Sequence, residues 1–224
     1  MANAAVKKDT LDLLSNNQVR KELVRDLEDL RQSGKDMSKD QVTVILGQWF
    51  HPLHYFPSFL SRLVAISPSI EMQTYISKIL WQELGQGVPQ NAHESIYIET
   101  VDSAGFSGQA VSNAPPLDAT KELLDGYAES TNSYLSGLGF LYGTEVADLS
   151  MVSTIGDIMR QCAGQRDLPW VDIHVKEEPD HVASSNQTLK PTFADEDQQK
   201  ILQSAELMWT YWINFFKNIK AEIS

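Results

Sequence analysis

Residues 171–182, VDIHVKEEPDHV, place His174, Glu178 and His181 at offsets of four and seven residues. At about 100° per residue of α-helix, those offsets bring the three side chains within an arc of about 60°, so that one helical face carries two imidazoles and a carboxylate. Glu177 and Asp180, at offsets of three and six, fall about 60° and 120° from His174 and are poorer partners for it. Pro179 lacks an N–H for the carbonyl of Val175, so a kink is expected inside this helix.

Two segments upstream add groups of the same kind. WQELGQGVPQNAHES supplies Glu83 and His93, and LYGTEVADLS supplies Glu145. Three carboxylates and three imidazoles are the donor mixture that suits a non-heme iron or manganese pair, held in a helical bundle by side chains projecting inward from different helices. Two divalent ions would leave such a set with a net charge of about +1, and without them the crowded carboxylates would repel one another and take up protons. Glu83 and His93 stand ten residues apart, about 80° off a shared face on a regular helix. Gly85, Gly87 and Pro89 lie between them and permit a distortion that returns His93 to Glu83.

Composition narrows the class. The formal net charge of −12 argues against a nucleic-acid binder and against an anionic membrane surface as partner. The one cysteine, Cys162 in RQCAGQR, forms no intramolecular disulfide and has no placed base, so it reads as structural. The opening MANAAVKKDT lacks the apolar run of a leader, and no apolar stretch reaches the ~20 residues of a membrane span, so a cytoplasmic protein is expected. A chain of 224 residues fits one domain, 1–224, able to bury about 70% of its unfolded surface.

Apolar spacing predicts an all-α fold. Residues 9–33 read as one helix ending at Gly34, and 39–50 as a second, broken by Pro52 and Pro57 before a short helix to residue 66. Ser67 or Ser69 can cap a helix toward Glu83, and a further helix covers 91–104. FSGQAVSNAPPLD reads as a loop, 118–134 as helix, SGLGFLYG as a glycine-rich turn, and TEVADLSMVSTIGDIMRQ as another helix. Pro169 opens the helix of the His-Glu-His face, and Thr192 is the expected cap of the last one. VTVIL, residues 42–46, is the one rival to helix.

The set ELGQGVPQNAH, TEVADL and HVKEEPDH resembles the heme-oxygenase-like dimetal oxidases, or iron-containing redox enzymes, and within them the CADD-like branch (Chlamydia protein associating with death domains), related to TenA and PqqC. That family's pattern is Glu-x-Gly-x-Gly with His ten residues after the Glu, a later Glu, and His-x3-Asp/Glu-x2-His. Matched position by position, the resemblance implies Glu83, His93, Glu145, His174, Glu178 and His181 as six metal ligands. It also implies a bundle of about seven helices, two iron ions or one manganese and one iron, no heme, and O2 activation for oxidising a small organic substrate. An external electron donor and a homodimer are implied as well. The family often has Asp at the position of Glu178, and the Lys of its p-aminobenzoate-forming branch is missing from EVADLSMVSTIGDIMR.

In QWFHPLHYF, Trp49, Phe50, His51, His54 and Tyr55, with Phe56, are expected to line a substrate pocket, the two histidines being hydrogen-bonded there rather than ligating. A fatty-acid tail and an aromatic amino acid fit such a pocket about equally, and no Arg stands out as a carboxylate clamp. Tyr55, Tyr97, Tyr127, Tyr134 and Tyr142 are candidate tyrosyl donors. Two other classes compete: a metal-free acid–base enzyme of the thiaminase (TenA/PqqC-like) kind, and an interaction protein like the namesake of the CADD branch. Retained metal separates the dimetal reading from both.

Overall fold

The computed structural model describes residues 9–164 and 166–224. The first eight residues, which begin the stretch read as lacking a leader, and residue 165 of RQCAGQR lie outside the described residues. Ten α-helices and no strand occur among the described residues, and VTVIL is helical.

Side-chain caps explain where several helices begin. Asp9 accepts from the backbone of Asp12 to start α1 (Thr10–Ser15), and Asn17 accepts from that of Val19 to start α2 (Gln18–Ser33). The cap at Asn17 divides what apolar spacing joined into one helix, because its side chain offers the backbone a partner that only a helix start can use. Ser38 and Gln41 form a capping box at the head of α3 (Lys39–Ile66), and Ser69 caps α4 (Ile70–Glu83). The chain continues through α5 (His93–Ser103), α6 (Gly108–Ser112), α7 (Asp118–Ser130), α8 (Tyr134–Ala163), α9 (Pro169–Thr188) and α10 (Asp195–Glu222).

Four further local expectations fail, the first three where packing overrides propensity. Helix α3 runs unbroken through Pro52 and Pro57, since Trp49, Leu53, Phe56, Phe59, Leu60 and Leu63 all enter the core from it. FSGQAVSNAPPLD contains α6, capped by Ser107 and anchored by fully buried Val111. Residues 136–143, read as a turn, are the first turns of α8. Helix α10 starts after Ala194 without a side-chain cap, and Asp195, Glu196 and Asp197 in its first turn offset its dipole instead of Thr192.

Helix α8 runs through the bundle and packs on α9, α10, α2 and α3, while α4 lies against α3 and α9. One continuous apolar core joins them, with Trp170, Trp209 and Trp212 among its largest side chains. The glycines of α8 permit a close crossing with α10: a Cβ on Gly139 would stand 2.4 Å from the carbonyl oxygen of Ile201. No helix among the described residues is long and apolar enough to cross a membrane.

Gly139→Ala is expected to lower stability by about 1–3 kcal/mol, since the added methyl meets backbone that cannot rotate away. Urea unfolding checks this, and an unchanged midpoint would show that α8 and α10 do not cross this closely.

Candidate functional site

Four helices converge on one buried point. Glu83 closes α4, His93 opens α5, Glu145 lies in the middle of α8, and His174, Glu178 and His181 lie along α9; all six are buried. The six residues singled out from the sequence are thus brought together.

The return of His93 to Glu83 depends on how α4 ends. The N–H of Gln86 donates to the carbonyl of Trp81 at 2.8 Å and that of Gly85 to Gln82 at 2.9 Å, the paired bonds of a Schellman turn. Gly85, Gln86 and Gly87 all have positive φ, and a Cβ on Gly85 would lie 2.3 Å from the carbonyl oxygen of Val88. Gln86 tolerates this left-handed backbone while its side chain donates to Glu177 at 2.9 Å. Glu177, set aside as off the ligand face, is buried and also accepts from His93 Nε2 at 3.4 Å.

His93 Nδ1 lies 3.1 Å from Glu83 Oε2 without hydrogen-bond geometry, and is left with no partner. His181 Nδ1 stands 3.6 Å from Glu83, 3.4 Å from Glu145 and 3.9 Å from Glu178. His174 approaches the Trp170 carbonyl at 2.7 Å through Nδ1. A carbonyl only accepts, so Nδ1 carries the proton and Nε2 keeps a free lone pair. Glu145 Oε1 and Glu178 Oε1 are buried without a partner. One donor atom each of Glu145, Glu178 and His181 lies within 4.8 Å of the others, a spacing that one cation can span.

Asp148 joins this set, although the sequence reading passed over it. Its Oδ2 is buried, unpartnered and 3.9 Å from His174 Nε2. The available signal was its position three residues after Glu145, which turns both carboxylates to one side of α8.

The electrostatics are those of a crowded acid cluster. Burial pushes the carboxyls of Glu145 and Asp148 up; burial first, then Asp148 and Glu145, push Glu178 far up. Burial would raise Glu83 as well, but His93, His181 and His174 outweigh it and hold Glu83 at about 2. Burial opposes charge on His93, yet Glu83 and Glu177 lift it to about 10. His181 is raised against burial by Glu145 and Glu83, whereas burial lowers His174.

A narrow cavity of about 30 Å³ adjoins the cluster, walled by Trp49, Pro52, Leu53, Phe56, Tyr127, Thr144 and Trp212. Of the expected pocket residues Trp49 and Phe56 line it, and Phe50, His51, His54 and Tyr55 do not. His51 contacts the Ala114 carbonyl, exposed His54 pairs with Glu94 and stacks on Phe50, and Tyr55 leans on Tyr127. Cys162 is free and half-buried.

A bundle of this architecture, with acids and imidazoles facing inward from separate helices, is the class to which the comparisons also lead. The family model for iron-containing redox enzymes matches residues 44–213, and the chain belongs to that family. Its fold is heme-oxygenase-like. A CADD-like protein of unknown function from Nostoc punctiforme superposes with a TM-score of 0.75 at 14% identity, over 96% of each chain. A domain of unknown function with a heme oxygenase-like fold from Shewanella denitrificans gives a TM-score of 0.69 at 15% identity, over 95% of this chain and 88% of that one. A TenA homolog from Pseudomonas syringae gives 0.67 at 10% identity, over 96% and 98%. No curated protein matches the sequence.

The raised groups fix the pH response of the protein without metal. His93, His181, Glu145, Asp148 and Glu178 each bind a proton more tightly folded than unfolded. Each therefore contributes stability that is complete below its unfolded pKa and is lost as pH rises toward its folded one. Glu83 is ionised in both states across this range, and His174, held neutral when folded, opposes the slope only near pH 6.5, where the unfolded imidazole still gives up its proton. The chelated protein is expected to melt several degrees lower at about pH 9 than at about pH 6.5. Calorimetry at the two values checks this, and an equal or higher Tm at the alkaline one would contradict it.

Proposed function

We propose that the protein is a non-heme dimetal oxidase, holding two iron ions or one manganese and one iron through Glu83, His93, Glu145, His174, Glu178 and His181, and using O2 to oxidise a small organic substrate. The observation that carries this reading is the row of buried atoms without partners: His93 Nδ1, Glu145 Oε1 and Glu178 Oε1. Leaving polar atoms buried and unpaired is costly, and lone pairs facing a shared point are satisfied by cations. Mixed imidazole and carboxylate donors fit iron and manganese better than a thiolate-seeking metal.

When bound, the pair would supply redox electrons and open positions for O2, replenished by an external donor. The chain's own residues do the rest. Glu177 and the Trp170 carbonyl hold the rings of His93 and His174 by their far nitrogens, setting which lone pair faces inward. Thr144 donates its hydroxyl proton to the Phe140 carbonyl at 3.0 Å, so the Tyr127 hydroxyl is the donor in its 2.8 Å bond to Thr144. Burial keeps that phenol neutral. Trp49, Pro52, Leu53, Phe56 and Trp212 exclude water and offer a substrate apolar contact. No Lys or Arg is among the described residues lining the cavity, which favours an apolar moiety there over a carboxylate.

A metal-free acid–base enzyme would have to keep this acid cluster buried with nothing but protons to relieve it, and its carboxyls would be poor bases at neutral pH.

Protein loaded anaerobically with iron(II) and manganese(II) is expected to retain about two ions per chain by elemental analysis. His181→Ala and Glu145→Ala are each expected to lose most of that metal while keeping wild-type helicity. Full metal content or full oxidase activity in either variant would sink the proposal.

A further inference from the structure

We infer that Asp148 is a seventh metal ligand, completing with His174 and Glu178 one of two ion positions, an inference that rests on the dimetal reading above. The six-ligand set divides unevenly in space. Glu83, His93 Nδ1 and His181 Nδ1 gather around one point, with contacts of 3.1 and 3.6 Å. Glu145 Oε2 reaches the same point at 3.4 Å from His181, while its Oε1 remains unpartnered.

His174 packs on His93, ring centroids 4.6 Å apart, but its Nε2 comes within 4.0 Å of none of the three glutamates. Among the described residues, the carboxylate oxygen nearest to its free Nε2 is Asp148 Oδ2 at 3.9 Å, which belongs to none of the six. That oxygen is buried without a hydrogen-bond partner, and the Asp148 carboxyl lies against that of Glu178. A nitrogen lone pair and a carboxylate oxygen at this separation repel one another, unless a cation lies between them. Two ligands about 2.1 Å from one ion, at right angles or wider, stand about 3–4 Å apart, so the observed spacing fits shared coordination.

Geometry along α8 supports the same division. Glu145 and Asp148 are one turn apart on one face. Glu145 can therefore bridge the two positions while Asp148 serves the one beside His174. The charge also balances: four carboxylates neutralise two divalent ions, where three would leave a positive charge against Trp49, Phe56 and Trp212.

The test uses manganese(II) as probe on the full chain, reading elemental content after desalting and the electron paramagnetic resonance spectrum. Wild type is expected to hold about two ions per chain with an exchange-coupled spectrum. Asp148→Asn is expected to lose about half of that manganese and to show the six-line signal of an isolated ion. Two coupled ions in Asp148→Asn, bound as tightly as in wild type, would overturn the inference and leave the dimetal reading intact. No manganese in wild type would overturn both. A second variant guards against misfolding: Asp148→Cys loaded with cobalt(II) is expected to show a thiolate-to-cobalt charge-transfer band, and its absence would overturn the assignment of position 148 as a ligand.

Discussion

Carboxylates do not gather inside an apolar bundle without something to hold them, and this requirement governs the rest of the molecule. Glu83, Glu145 and Glu178 are buried at one point with Asp148 beside them, opposite three imidazoles. In a medium of low polarity each acid raises its neighbours and each imidazole lowers them, so no one group can be understood alone. The cluster in turn dictates the chain around it. Helix α4 must end where Glu83 can turn inward, α5 must begin at His93, and the tight left-handed turn at 85–87 exists to join them. A layer of indoles closes the site on one side: Trp49 lies 6.0 Å from Trp170 and 5.4 Å from Trp212, and Trp170 meets His174 edge-on at 5.2 Å.

Two of the three histidine rings at the site are oriented before any ion arrives. His174 is fixed by a backbone carbonyl within its own helix, and a bond of that kind survives small movements of neighbouring elements. His93 is fixed by Glu177, which Gln86 holds in turn, so its orientation is tied to the turn that brought it there. The backbone strain at Gln86 and the placement of His93 are thus two ends of one hydrogen-bonded chain.

How much of this could be read in the sequence depended on how local each signal is. The face of His174, Glu178 and His181 follows from helical period alone, and α9 keeps that period through Pro179. The carbonyl that Pro179 leaves without a donor belongs to Val175, an exposed residue on the side of α9 where water is at hand. Glu83 and His93 needed the glycines between them to be read as a hinge. Glu177 was passed over because helical angle measures partners on its own helix, whereas its partners come from α5 and the turn before it. Asp148 was passed over because the resemblance singled out only Glu145 on that stretch. The proline and glycine signals misled for the opposite reason. They report local cost, and in α3 and α8 that cost is outweighed by burial against neighbouring helices.

Those misleading glycines also explain how α8 aims its acids. Gly143, Thr144 and Glu145 are consecutive and point about 100° apart around the helix. Gly143 sits under Met208 of α10, and its carbonyl accepts the indole N–H of Trp209 at 2.8 Å. Thr144 meets Tyr127 of α7 at 2.8 Å, and Glu145 turns to His181 of α9 at 3.4 Å. Rotating α8 by one residue would place Thr144 against α10, set Glu145 against the tyrosine and take from His181 its acid on α8. A Cβ at 143 would crowd Met208 at 3.1 Å, and one at 139, 2.4 Å from the backbone of Ile201, would push the helix away from α10 and loosen all three contacts together. The close crossing that only small residues permit is therefore what fixes the rotational setting of α8, and with it the direction of Glu145 and, one turn on, of Asp148.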